Sequence, residues 1–409
     1  MTKKIIQKRT TCRLCDSKNI TFEIELPVAA IADHYAVQPN EELPVYPQDL
    51  YQCADCGHVQ VLDVISREHL FSQDYTYRPS RNPAVVRHFE SYAAHLDPYL
   101  GHIAEPRVLD IGSNDGLFLE TIKRRFGAVV TGIDPAAGAA EEAQRRGIPT
   151  ICDYWSTDIA RKRVASGVAY DLVSANNVFA HNDDLQDFGN AISAVLKDDG
   201  IFSAEISYLA DIVSKSLIGT FFHEHVSHHS LTSLRPFLRT IGLNLFDAIP
   251  VDTQGGALII FASRRSLKES ERLGRLLALE REFDLVGRRS MAALRANLAK
   301  MRRDVISLIH ITPFERLVMY GASRSLNLIV DFFDLRGQID LIVDSDDQKV
   351  GRYLRESKAR IVSASEFKPK RGDLVFCSAW VHTESIRQRL RCDEAQAHFL
   401  SIYPTVELV

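Results

Sequence analysis

An α/β protein built in three parts is the fold class that the sequence predicts, and three observations carry the prediction. Two Cys-x-x-Cys pairs lie within the first 56 residues. A strand, a glycine-bearing loop, a helix and a second strand follow one another over 107–134, and the same layout returns with different residues over 316–344. The expected parts are a metal-binding domain at 1–75, a Rossmann-like domain at 76–265, and a helical connector with a second Rossmann-like domain at 266–409. A chain of 409 residues is too long for one ordinary core, and 45% hydrophobic with 25% charged residues is the composition of a soluble globular protein.

The N-terminal part is read from "CRLC" and "CADCGHVQ". Each Cys-x-x-Cys turn aims two thiolates at one point, so Cys12, Cys15, Cys53 and Cys56 complete a tetrahedral zinc site. All four positions are then filled, and the site is structural. Gly57 suits the positive backbone angle of such a knuckle. Seven cysteines, an odd number, in a chain whose basic start lacks the apolar stretch of a signal peptide favour metal over disulfides. No window approaches a membrane span, so a cytoplasmic location is expected. A net charge of −4 with dispersed basic residues argues against nucleic acid and membrane surfaces as partners.

In "RVLDIGSNDGLFLETIKRRFG" (107–127) the loop reads G-S-N-D-G, where a dinucleotide-binding unit would read G-x-G-x-x-G. The pattern resembles the first motif of class I S-adenosylmethionine methyltransferases. The following strand ends in Asp134, placed to accept ribose hydroxyls, and "CDYW" (152–155) falls where the adenine ring would lie. The expected cofactor residues are Asp110, Gly112, Asn114, Gly116, Asp134, Asp153 and Asn176. Strands at 171–179, 200–207 and 257–265 extend the domain. The charged helical run 266–303 reads as a connector. "RLVMYGASRSLNLIVDFF", "IDLIVDSDDQKVGRYL" with Asp344, and "DLVFCSAW" supply the second αβ unit, whose strand ends should offer a ligand crevice.

The ordered set "CRLC … CADCGHVQ", "VLDIGSNDG", "NNVFAHNDDL", "FFHEHVSHHSL", "QGGAL" and "YGAS" resembles one family along almost the whole chain. It is similar to the sugar C-methyltransferases of deoxysugar biosynthesis, which methylate C-3 of nucleotide-linked 4-keto-6-deoxysugars. The resemblance implies a zinc domain, a methyltransferase domain that takes S-adenosylmethionine, and a Rossmann-like C-terminal domain. It also implies roles for particular residues. His223, Glu224 and His225 match the family's His-Glu-His block, and His181 matches the histidine of its N-x-x-x-H stretch. A base must remove the proton beside the ketone, and donors must hold the oxyanion that develops. The expected assignment is His225 as a base with a pKa near 7, Glu224 assisting it or binding sugar hydroxyls, His181 near the oxyanion, and Tyr77 in a catalytic position. Tyr75, Phe222 and His223 are expected at the substrate, with Arg324 and Arg352 at its diphosphate. The substrate is a nucleotide-linked sugar and the protein a monomer.

"FFHEHVSHHSL" places four histidines in seven positions, yet it lacks the zinc-protease spacing, since Val226 and not Glu follows the first histidine of the only i, i+4 pair. His228 and His229 are given no role. The sequence departs from the family at Phe222, where the family has tyrosine, at Pro79 within "YTYRPS", and at Arg355-Glu356. The alternative reading keeps the cofactor and makes the chain an O- or N-methyltransferase on a sugar or other small acceptor.

Overall fold

The computed structural model describes residues 5–70 and 77–409. Tyr75, expected at the substrate, lies outside the described residues.

The central sheet has seven strands in the order Asn244–Val251, Ala257–Ser263, Leu196–Ser207, Tyr170–Ser174, Arg107–Ile111, Val129–Ile133 and Thr150–Ile151. The last five named are parallel to one another, and the two after Leu196–Ser207 in the chain add antiparallel pairs at one edge. Arg107–Ile111 is the first strand of this sheet in the chain and lies inside it, with its successor on one side and a later strand on the other. The connections therefore diverge at its C-terminal end, which leaves a crevice above it. Strand 107–111 is buried from Val108 onward, as a strand covered by helices on both faces must be.

A second sheet has six strands in the order Arg360–Ser363, Ile339–Asp344, Arg316–Tyr320, Asp373–Cys377, His398–Ser401 and Glu407–Leu408, parallel except for the last pair. Here too the first strand in the chain, Arg316–Tyr320, lies inside the sheet, and a second crevice opens above Tyr320.

The cysteine-bearing part forms a small sheet from Ile20–Ile24, Leu50–Cys53 and Val59–Val61. Its fourth strand comes from far along the chain: Ser227–His228 pairs antiparallel with Val59–Gln60. The same part reaches the C-terminal sheet, where Ala36 and Tyr353 exchange backbone hydrogen bonds of 2.8 and 2.9 Å. The charged run read as a connector is a pair of helices, Glu271–Glu282 and Arg289–Ile311. Leu273, Met291, Leu294 and Leu298 are buried on their inner side. Gln52 of the N-terminal sheet donates to the Leu285 carbonyl between them at 2.7 Å. Among the described residues no helix is long and apolar enough to cross a membrane.

Candidate active site

Both crevices open into one cavity of about 860 Å³, lined at one end by Gly112 and Asn114 and at the other by Gly321 and Arg324. The first end is local in sequence. Gly112 has φ +70°, and a Cβ there would stand 2.3 Å from Val178 Cγ2, so the loop closes against its neighbour only with glycine. Gly116 (φ +79°) starts helix Leu117–Phe126 and does not line the cavity, so its part is to turn the chain. Asp134 accepts from Asn114 N at 2.9 Å through one carboxylate oxygen and from Ala136 N at 2.8 Å through the other. Each oxygen keeps a second lone pair for a ribose hydroxyl. Asp110 accepts from Ser174 Oγ at 2.7 Å, and burial pushes its carboxyl up to about 7. Asn176 Nδ2 reaches the same Asp110 oxygen at 3.4 Å, while its own Oδ1 is buried without a hydrogen-bond partner. Asp153 lines the cavity beside Tyr154, which stacks under the Arg67 guanidinium at 4.3 Å. A buried carboxyl that lacks a counter-charge, an orphaned amide oxygen and a close glycine loop fit the ammonium, ribose and methionine chain of S-adenosylmethionine.

The second end collects residues from distant positions. His225 is buried, and its Nδ1 lies 2.8 Å from the Thr220 carbonyl. A carbonyl only accepts, so Nδ1 carries the proton and the lone pair is left on Nε2. The His181 ring stacks on it with centroids 5.1 Å apart, and Phe222 covers it at 3.9 Å. All three line the cavity. Tyr77 lines it as well, with its side chain still open to solvent.

Four expected placements are corrected by the fold. Burial lowers His225 to about 4 rather than leaving it near 7. Glu224 does not line the cavity or meet the His225 imidazole; it is buried and ion-paired with Arg324. His223 turns to the N-terminal part, where its Nε2 donates to the Tyr46 carbonyl at 3.0 Å, away from the cavity. Arg352 is exposed and outside the cavity wall. The second cation there is Lys349, which binds Asp33 at 2.7 Å. Asp33 also holds Arg324 at 3.0 Å, and Arg324 lies over the Phe222 ring at 5.4 Å. The sequence reading missed Lys349, Asp33, Glu205 and His88. Two of them left a signal: Glu205 is a single acidic residue inside the apolar strand "GIFSAEIS", and Lys349 stands in the run "IDLIVDSDDQKVGRYL".

The four cysteine Sγ atoms lie within 4.8 Å of one another, with Cys12–Cys56 and Cys15–Cys53 at 3.6 Å. Zn–S bonds of about 2.3 Å in a tetrahedron put sulfurs about 3.8 Å apart, so the cluster fits zinc. It is tied to the active site by Arg13, which lies between the first two cysteines. This buried arginine donates to the Val61 carbonyl at 2.6 Å and to Asp183 at 3.1 Å, two residues beyond His181.

Comparison with known proteins gives three family matches in the same order. They are "Putative zinc binding domain" over 12–71, "Methyltransferase domain" over 85–248, and "C-methyltransferase C-terminal domain" over 252–404. The C-methyltransferase NovU of Streptomyces niveus is 26% identical over 347 residues, which cover 84% of this chain and 82% of NovU. A ubiquinone biosynthesis O-methyltransferase of Methylobacterium sp. (strain 4-46) is 36% identical over 101 residues, only 24% of this chain and 39% of that one. The solved magnesium protoporphyrin IX methyltransferase of Synechocystis overlaps 44% of this chain and 79% of its own with a TM-score of 0.34, too low to carry an argument. The O-methyltransferase likeness covers about a quarter of the chain, whereas the C-methyltransferase likeness covers most of it and includes the C-terminal part that closes the cavity. The chain therefore carries a zinc-binding domain, a methyltransferase domain and a C-methyltransferase C-terminal domain in that order, and it is an S-adenosylmethionine-dependent C-methyltransferase.

Proposed function

We propose that this enzyme methylates C-3 of a nucleotide-linked 4-keto-6-deoxysugar through an enolate, with His225 as general base. The observation that carries the reading is the single cavity spanning both crevices, with the tautomer-fixed His225 in its wall and two cations, Arg324 and Lys349, at its far end. S-adenosylmethionine supplies a methyl group made electrophilic by its sulfonium.

The chain's own residues account for the rest. His225 Nε2 takes the proton from the carbon beside the ketone. Its neutral form persists at pH 7 because burial holds the imidazole at about 4. The enolate's negative charge beside it favours the imidazolium and raises its basicity when the proton must move. His181, stacked on His225, is assigned to the ketone oxygen. Arg324 and Lys349 face the diphosphate, and Phe222 shields the base from water without contributing a hydroxyl.

The test is incubation with labelled S-adenosylmethionine and a panel of nucleotide-linked 4-keto sugars, the methyl position then being found by NMR. Without cofactor, solvent deuterium should enter the carbon next to the ketone. O- or N-methylation needs no such exchange, and label on oxygen or nitrogen would replace this reading.

A further inference from the structure

The mechanism above leaves one buried ionisable cluster in the cavity wall unused. Glu205 is 1% exposed, yet it lines the cavity together with His88 and Thr253. His88 Nε2 donates to one carboxylate oxygen at 2.6 Å, and Thr253 Oγ1 donates to the other at 2.5 Å. A carboxylate this deep in an apolar strand is costly to bury, and two donors supply only half of its acceptor capacity. One lone pair remains on each oxygen.

Strand register fixes which side of the cavity it faces. Ser203 pairs with Ser174, and Ser174 pairs in turn with Asp110. Glu205, two residues past Ser203, accepts from Asn177 N at 2.9 Å through its backbone carbonyl. Adjacent strands are about 4.8 Å apart, so Glu205 stands roughly 10 Å across the sheet from the strand that carries the Gly112 loop. It stands one strand farther from that loop than Asn176, which with Asp110 flanks the methionine end of the cofactor. Thr253 comes from the turn between the two antiparallel edge strands, on the opposite flank from the adenine end.

We infer that Glu205, oriented by His88 and Thr253, is an acceptor-binding residue that receives a ring hydroxyl of the sugar and so sets which sugars enter and how they lie. A hydroxyl donor suits the remaining lone pairs, and a buried carboxylate that recognises a hydroxyl rejects an analogue lacking it, because the group is then left unpaired. The inference rests on the proposed sugar acceptor.

The test is a cycle between protein and substrate. Wild type and Glu205→Gln are assayed with the methylated nucleotide-linked keto sugar and with analogues each lacking one ring hydroxyl. Glu205→Gln should raise the acceptor KM about 10- to 100-fold, the range for a hydrogen bond to a charged group. The dissociation constant for S-adenosylmethionine should change less than about twofold, since the residue stands apart from the cofactor loop. One deoxy analogue should be equally poor with both proteins, because the lost hydroxyl and the lost carboxylate are the same contact. Penalties that multiply for every analogue would overturn the inference, as would weakened cofactor binding with an unchanged acceptor KM. Thr253→Val keeps the carboxylate and removes one orienting donor. It should raise the acceptor KM several-fold alone and add nothing in the Glu205→Gln background; full additivity there would also refute the assignment. If wild type shows no solvent exchange at the sugar carbon, the proposed function fails first. Calorimetric binding of the same nucleotide sugars to both proteins then tests Glu205 by itself, an unchanged affinity counting against it.

Discussion

Lowering the pH from 7 to 5 should strip stability from this protein well before its surface carboxylates titrate. Burial holds His223 and His225 at about 4 and His229 at about 3, against an ordinary value near 6.5. For a group whose folded pKa is depressed, the unfolded chain takes the proton first. Stability is therefore complete above about 6.5 and falls as the pH drops toward the folded values. At pH 5 each of these histidines costs about 2 kcal/mol, so the three together cost about 6 kcal/mol. Asp110 works in the opposite direction. Raised to about 7, it is protonated first in the folded state and returns about 2 kcal/mol over the same interval. His58, His181 and His228 are depressed as well, and the buried carboxyls Asp134, Glu224 and Glu280 are raised, so these two sets oppose each other in sign. For His223, His225, His229 and Asp110 taken by themselves the loss of about 4 kcal/mol is a large fraction of the roughly 5–15 kcal/mol that holds a typical domain. Urea midpoints by circular dichroism at pH 7 and pH 5 are the measurement, used as midpoints because a chain of several parts need not unfold in one step. His229→Phe keeps a ring and removes one titration, so its midpoint should fall less between the two pH values. Equal wild-type midpoints at pH 7 and 5 would refute the reasoning.

Other perturbations address the site by parts. Zinc removal by a chelator, or Cys12→Ser, should lower activity along with zinc content, because Arg13 and strand Val59–Val61 tie the cluster to Asp183 and to Ser227–His228; metal analysis beside turnover decides it, and full activity at zero zinc would contradict it. Asp134→Ala removes a carboxylate whose charge-assisted bonds are worth roughly 1.5–3 kcal/mol each, so the S-adenosylmethionine dissociation constant should rise at least about tenfold by calorimetry. His225→Asn should cost on the order of 10²–10⁴ in turnover, the usual worth of a positioned base, while Phe222→Tyr should change turnover far less. Near-normal turnover in His225→Asn would remove the base.

The end of the cavity proposed for the cofactor was legible in the sequence because it is built within one run of chain. Strand, loop, helix and second strand fix Asp110, Gly112, Asn114 and Asp134 through local geometry, and a local pattern can be read. The end proposed for the acceptor depends on pairings with no sequence spacing at all. Nothing in positions 33, 224, 324 and 349 announces that Asp33 and Glu224 would hold Arg324, or that Lys349 rather than Arg352 would join them. Adjacency misled where it was trusted. Glu224 stands beside His225 in the chain, but the turn at 221–226 sends the two side chains to different partners, Arg324 and the Thr220 carbonyl.

The four histidines of "FFHEHVSHHSL" show why a composition-level reading of that stretch could go no further. Their fates are set by the two-residue strand Ser227–His228, whose partners Val59 and Gln60 lie in the zinc-binding part. Pairing there buries His228 and His229 beneath the small sheet, with His229 stacked on His58 at 5.4 Å. The preceding turn then has room for one ring toward Tyr46 and one toward the cavity, and these are His223 and His225. His225 is thus positioned by a sheet whose other strands are held by the cysteine cluster more than 160 residues earlier in the chain. The cysteine cluster and His225 belong to one continuous piece of packing, so a zinc-binding part that looks separable in sequence helps to hold the imidazole proposed as the base in the cavity wall.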